Sequence, residues 1–332
     1  MATLYLEKAG VELLVEGGTI VLREVDGSTQ KLPTMLVERI VASADLVVRG
    51  AAVRRLAGLG IGLYYPANRQ GEHALLWPGS PRGGMRKLGQ ATIYFDTAER
   101  QRWAARAIRG KLQGQLIVLR KLQEKRPHKH FELAKGQASL AAAVRRLRTE
   151  QVTIESLLGI EGAAGAAYFK AFGEAFAPGL QFQGRNRRPP RDPVNAVLSL
   201  GYTLLYHAAL EALLAAGLEP AYGFLHEPCP GRASLACDLM EPFRPLVDWE
   251  IWVMLQNRTI RAESFSTNQG ACLLGKAGRQ GFYGAFEEPM ERIRGQLRGV
   301  CAQFARTAER RVASHRSGER LRGVSEWSEG PR

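Results

Sequence analysis

The chain has 332 residues, with 46 Lys and Arg against 32 Asp and Glu, a formal charge of +14 and 45% hydrophobic residues. At roughly 100 to 200 residues per domain this length fits two domains with a core each, and the apolar share excludes a disordered chain. The four cysteines, at 229, 237, 272 and 301, form no CxxC pair and no zinc-finger spacing, which excludes a dense disulfide framework and suits a reducing cytoplasm.

The N-terminus has no basic region followed by an apolar one, so no signal peptide is expected. The runs TLYLE, VELLVE, TIVLREV, ERIVAS and DLVV then alternate or cluster β-branched residues, punctuated by Gly17-Gly18 and by the hairpin signal Asp26-Gly27. A small β domain is expected over residues 1–77, with one amphipathic helix at 51–59 and further strands at GLYYPA and HALLWP. The stretch PGSPRGGMRK suits a linker, placed at 78–90.

Beyond it turn residues thin out. Asp96 is a plausible N-cap for one long helix to Lys125, ended by Pro127. Further helices fit 132–148, 152–158, 161–176, 193–217, 234–257 and 284–313, so residues 91–313 read as a nearly all-α domain and 314–332 as a basic, flexible tail. The fold class is α+β in two domains, a small N-terminal β-sheet domain followed by a larger all-α C-terminal catalytic domain. Residues 196–218 approach the length of a membrane span, but His207 and Glu211 lie inside, so a buried core helix is the better reading and no membrane partner is expected.

Residues 1–90 carry 11 basic and 8 acidic side chains, a net +3, which leaves +11 for residues 91–332. An excess of that size points to an anionic partner, most often nucleic acid. Any one basic stretch can be a solvated helix face. The loop GRNRRPPRDP is more telling, because Arg185, Arg187, Arg188 and Arg191 lie between prolines where no i,i+4 helix pair can use them, and guanidinium groups on a loop suit phosphate forks.

There is no GxxxxGK[ST] loop, no GxGxxG after a strand, no HExxH and no GxSxG. What remains is a set of carboxylates and one histidine. Glu161 lies in the apolar run LLGIEGAAGAAYF, where Gly159, Gly162 and Gly165 would let another backbone approach one helix face. Its partner could be a metal ion or a salt-bridging Arg, or it could be exposed in a helical first turn. His226 precedes a Pro-rich turn and reads either as a structural histidine or as a ligand. Asp238 and Glu241 share one helix face, with Asp248 two turns beyond Glu241, and no Lys stands at i+4 of either to relieve their repulsion. A divalent cation would. Carboxylates plus imidazole suit Mg²⁺ or Mn²⁺, with zinc kept open by the nearby Cys229 and Cys237. A hard cation beside Arg-rich surfaces points to phosphodiester chemistry, with water or a DNA 3′-hydroxyl as attacker.

LLGIEGAAGAAYF, RPPRDPVNAVLSLGYTLLY and YGFLHEPCPGRASLACDLMEPFRPLVD resemble, in order and spacing, the motifs of the CRISPR-associated endonuclease and integrase of spacer acquisition, the conserved adaptation nuclease family. The likeness spans essentially the whole chain. It implies metal ligands and catalytic residues at Glu161, His226 and Glu241, with Asp238 as an accessory acid, and Mg²⁺ or Mn²⁺ as cofactor. It also implies a homodimer formed through the β domains, a small companion integration subunit, and double-stranded DNA, prespacer and repeat array, as substrate. Asn195 and Tyr202 match family positions too, where a helix cap and a core aromatic are ordinary alternatives. SFSTNQGACLLGKAGRQGFYGAFEE is similar to the family's stretch after the ligand helix and offers Lys276 and Arg279 to DNA. The rival expectations are a non-catalytic nucleic-acid-binding scaffold and a metal-dependent nuclease of branched repair intermediates.

Overall fold

Alternation and punctuation in the first 81 residues build two sheets. The structure is a computed structural model that describes residues 2–65, 74–76, 83–150, 152–186 and 189–326, with side chains described up to residue 314. It divides into two units, Met1–Pro81 and Arg82–Arg332.

In the first unit, strands β1 (Ala2–Leu6), β5 (Val37–Ala42), β7 (Gly62–Tyr65) and β8 (Ala74–Leu76) form one sheet in that spatial order. Its β1–β5 and β5–β7 pairs are parallel and its β7–β8 pair antiparallel. Strands β4 (Thr29–Pro33), β3 (Thr19–Arg23), β2 (Val11–Glu16) and β6 (Leu46–Val48) form the other. The β2–β3 turn is Gly17-Gly18, both with positive φ, which matches the right-handed twist of the strands it joins. Alternate residues of β2 point inward, and Leu13, Ile20, Ile40 and Leu56 of helix α1 (Gly50–Gly58) are fully buried in one core.

The second unit is helical. Helix α2 (Gly83–Phe95) begins inside the segment expected as linker, so residues 83–90 are helical: two glycines start it and the run MRKLGQATIYF supplies a helical face. Helix α3 (Thr97–Lys125) is capped by the Asp96 side chain, which accepts from the Glu99 amide. Helix α4 (His130–Thr149) follows. Helix α5 (Ile154–Gly173) is continuous where two helices, 152–158 and 161–176, were expected, because its glycines are flanked by strong helix formers. Helix α6 (Pro193–Ala215) is long and apolar enough to cross a membrane, yet Val194, Val197, Leu198, Leu205 and Leu213 are fully buried among the other helices.

The single helix expected at 234–257 is broken. Helix α7 (Ser234–Met240) ends in a 3-10 turn, Glu241–Phe243, and helix α8 (Arg244–Gln256) resumes, since Pro242 and Pro245 remove amide donors from that stretch. A hairpin, β9 (Phe265–Asn268) with β10 (Ala271–Leu274), turns through Gln269 and Gly270, both at positive φ. Helix α9 (Lys276–Glu326) carries its backbone through most of the segment expected as a tail.

Close packing in this unit depends on glycine. A Cβ on Gly89 of α2 would stand 1.8 Å from the Ala308 carbonyl oxygen of α9, whereas one on Gly84 meets nothing within 4 Å. Gly89→Ala is therefore expected to lower the denaturation free energy by about 3 kcal/mol, the upper end for over-packing. Gly84→Ala should raise it by about 0.5 kcal/mol by stiffening the unfolded chain. Equal denaturant midpoints for the two variants would contradict this packing.

Candidate metal centre and nucleic-acid interface

Helix α3 carries the group that organises the site. Lys111 is flanked by Gly110 and Gly114, where a Cβ would lie 3.2 Å from Pro242 and 2.9 Å from Pro245 respectively, so the Pro-broken segment packs directly on α3. That approach sets Glu241 beside Lys111, with Glu241 Oε2 2.6 Å from its Nζ. Glu161 on α5 ion-pairs with the same ammonium. Two of the three expected ligands thus meet on one cation. Glu161 lies two turns inside α5, not in a first turn. Gly159 and Gly162 face open space, so the glycine face leaves a cleft where a backbone approach was expected.

His226 is held from below. The Asp238 carboxylate, fully buried, accepts from the Phe224, Leu225 and His226 amides and, at 2.5 Å, from His226 Nδ1. Gly223 permits this wrap, since a Cβ there would lie 2.9 Å from Asp238 Oδ2. Arg100 anchors the same loop through the Phe224 carbonyl, and Arg232 and Ser234 donate to the Glu227 carbonyl. The hydrogen bond to Asp238 raises the His226 pKa above 6.5 against the opposing effect of burial. Burial pushes Asp238 up although the His226 ring pulls it down. Asp238 accepts from three backbone amides and contacts the His226 ring, so it holds the His226 loop in place; with the proton on Nδ1, Nε2 carries the free lone pair.

Glu241 is 5% exposed. Burial alone would push its pKa up, but Lys111 and Arg244 outweigh that and leave it below 4.5. Arg244 Nε is 2.9 Å from Glu241 Oε1, and its guanidinium lies 4.6 Å from the Tyr202 ring centre. The Tyr202 hydroxyl donates to Asp248, as does Tyr168 at 2.9 Å, in a buried Tyr-Asp-Tyr cluster. Neither Lys111 nor Arg244 was singled out from the sequence. Arg244 stands three residues after Glu241, an i,i+3 signal within reach; Lys111 has no local signal.

The basic residues divide. The Arg185 guanidinium donates to Asn195 Oδ1, Ser199 Oγ and the Asn186 carbonyl, so it ties the loop to α6 and does not stand out as a free phosphate fork. Asn195 is a buried organiser of that loop, donating to Gly184 and Asp192, while the helix cap is Asp192. Arg191 and Lys276 are exposed. Arg279 donates to the Leu274 carbonyl and fastens the hairpin. Arg187 and Arg188 lie outside the described residues.

As the side chains stand, no group of three or more His, Cys, Asp or Glu among the described residues is close enough to hold a metal ion, and the Lys111 ammonium pairs with both Glu161 and Glu241. The donor set nonetheless fits a hard divalent ion. Glu241 Oε2 is buried without an aligned hydrogen bond, two carboxylates already converge on one positive charge, and His226 is near enough for the Glu241 charge to raise its pKa. A cleft of about 600 Å³, lined among others by Lys111, Gln115, Glu161, Gly162, Arg185 and Arg244, opens on this position.

The sequence model for CRISPR associated protein Cas1 matches residues 4–288. A CRISPR-associated endonuclease Cas1 from Thermus thermophilus is 34% identical, over 90% of this chain and 88% of the relative. Among solved structures, a casposase bound to integration product superposes with a TM-score of 0.76 at 21% identity, covering 92% of this chain and 91% of that one. A Cas6-RT-Cas1–Cas2 complex gives 0.76 at 21% identity, with 93% of this chain covering 35% of that longer one. These two likenesses are of fold.

The Asp248 cluster yields a pH test. Burial raises Asp248 from 3.8 to about 6 although both tyrosines and Arg244 oppose it. Its neutral form is the one the fold favours, so its contribution to stability is full below pH 3.8 and is lost as pH rises through about 6. Asp248→Asn should flatten the fall in melting temperature across that window. A wild-type curve already flat there would remove the cluster's pH role.

Proposed function

The chain belongs to the family of CRISPR associated protein Cas1, and from that premise we propose that it is a divalent-metal-dependent DNA endonuclease and integrase that inserts spacer DNA into a CRISPR array. The observation that carries this reading is the convergence of Glu161 and Glu241 on the Lys111 ammonium, at a cleft that Lys111 and Glu161 line.

In this reading Glu161, His226 and Glu241 hold Mg²⁺ or Mn²⁺. The bound ion would polarise a phosphoryl oxygen and favour attack by water or by a DNA 3′-hydroxyl. The chain's own residues do the rest. Asp238 fixes the His226 ring and keeps its Nδ1 protonated, Arg244 balances the charge of Glu241, and the side-chain-free face at Gly162 admits the substrate backbone. The partners proposed with it are double-stranded DNA, prespacer and repeat array, a second copy joined through the β unit, and a small companion subunit. The casposase with its integration product and the Cas1–Cas2 assembly, as those relatives are described, support the DNA and companion-subunit parts.

One observation favours a non-catalytic nucleic-acid scaffold: Lys111 and Arg244 together balance both carboxylates without any metal. Saturable Mn²⁺ binding that requires Glu241 separates the two readings, since a scaffold has none.

Three outcomes test the proposal. Glu161→Ala, His226→Ala and Glu241→Ala should each abolish cleavage and strand transfer on a repeat-bearing plasmid while DNA affinity persists, because affinity arises from many phosphate contacts. Full activity of any of them with Mn²⁺ present would refute it. Replacing the exposed Arg191 and Lys276 by Gln should lower the slope of log affinity against log salt by about two. Protons compete with the metal for the His226 imidazole, whose pKa Asp238 already raises, so activity at limiting Mn²⁺ should fall on acidification, with a midpoint that moves to lower pH as Mn²⁺ is raised. A midpoint independent of Mn²⁺ concentration would exclude His226 as the limiting group.

A further inference from the structure

Lys111 lies where the proposed ion would be drawn. Its side chain is 7% exposed, as is that of Glu241, and it pairs with both Glu241 and Glu161. A buried carboxylate left without a partner is costly, so the metal-free fold needs a cation at this place and Lys111 provides it. With Arg244 on the other oxygen of Glu241, two positive charges already balance the two carboxylates. A divalent ion added to that set, with the ammonium still in contact, would leave the buried position with an excess of +2. Like charges at contact distance repel strongly where water is scarce. The ammonium and the ion exclude each other.

A second station for the ammonium exists on the same helix. Gln115 stands one turn beyond Lys111 on α3, is 1% exposed, and its Oε1 is buried with no hydrogen-bond partner. An unpaired buried acceptor on a helix face is uncommon and calls for a donor. Lys111, Gln115 and Gly162 line the same cleft, and a four-carbon lysine stem can reach along one helix turn.

Resting on the metal reading above, we infer that Lys111 is a built-in competitor for the divalent ion. It clamps Glu161 and Glu241 together in the metal-free protein and, when the ion binds, moves its ammonium to the Gln115 carbonyl in the cleft. Lys111 is a positioning residue in this scheme. It keeps the ligands assembled at the expense of metal affinity, so the ion that loads must out-compete an intramolecular charge.

The test is Mn²⁺ titration of the full chain by calorimetry, without DNA, paired with melting temperatures in chelator and in Mn²⁺. Lys111→Met keeps the stem and removes the charge. It should bind Mn²⁺ at least about tenfold more tightly, since one unit charge leaves contact distance. Its metal-free melting temperature should fall, and Mn²⁺ should raise it by more than in the wild type. Gln115→Leu should weaken Mn²⁺ binding several-fold by removing the second station. If Lys111→Met is recovered folded only with Mn²⁺ present, that too supports the clamp, and Lys111→Gln then provides the affinity comparison. Mn²⁺ binding by the lysine variants no tighter than by the wild type would overturn the inference while leaving the metal site standing. Absence of saturable Mn²⁺ binding in the wild type and in every variant would overturn the metal reading itself.

Discussion

Two carboxylates cannot be brought together in a low-dielectric cleft without a cation, and the helical unit is arranged around that constraint. Glu161 arrives on α5, Glu241 at the Pro-broken end of α7, and both meet the ammonium of Lys111 on α3. The meeting requires α3 to be smooth on either side of the lysine, which Gly110 and Gly114 secure by admitting Pro242 and Pro245. The helix break has the same purpose. A continuous 234–257 helix would keep Glu241 in regular register behind Asp238, whereas the 3-10 turn pulls it toward α3 while Asp238 stays beneath the His226 loop. One shared ammonium thus accounts for two glycines, two prolines and the division of labour between neighbouring acids.

The buried polar groups around Asp238, Asp248 and Glu241 are linked in layers. Asp238 takes three amides and an imidazole; Asp248 takes two tyrosine hydroxyls; Tyr202 in turn lies under Arg244, which holds Glu241. Each layer fixes the orientation of the one nearer the cleft, so the groups proposed to meet the substrate are placed by a chain of buried contacts and not by loop conformation. The cost is visible at Asp248, which the fold holds up to about 6 for the sake of that chain.

Much of this was legible in the sequence, and what was not has a common cause. The alternation of β2, the Gly17-Gly18 turn and the Asp96 cap are local signals, decided within a few residues, and the structure follows them. The ordered motifs around Glu161, His226 and Glu241 could be read because each is a short segment. Lys111 could not: its partners are 50 and 130 residues away, and within α3 it is one of many basic residues with nothing local to set it apart. The anchoring of Arg185 is illegible for the same reason, since only the fold brings Asn195 and Ser199 to its guanidinium. The hairpin at 265–274 was overlooked because Gln269 and not Asn or Asp precedes Gly270 at the turn. Local punctuation is written in the chain, whereas charge pairing is written in the topology.

That distinction changes the meaning of the net charge. The helical half carries an excess of +11, which by itself suggests a uniformly attractive surface for a phosphate backbone. Several of its cations are committed inward: Lys111 and Arg244 to carboxylates, Arg185 and Arg279 to loop and hairpin. The positive field that favours a phosphodiester disfavours a bare divalent ion, and the cleft floor, with two carboxylates against two cations, gives that ion no net attraction until one of the cations leaves. A phosphate entering the cleft would supply the missing negative charge. On this electrostatic argument the proposed ion and DNA would favour each other's binding, which makes a strongly basic surface compatible with the proposed metal site.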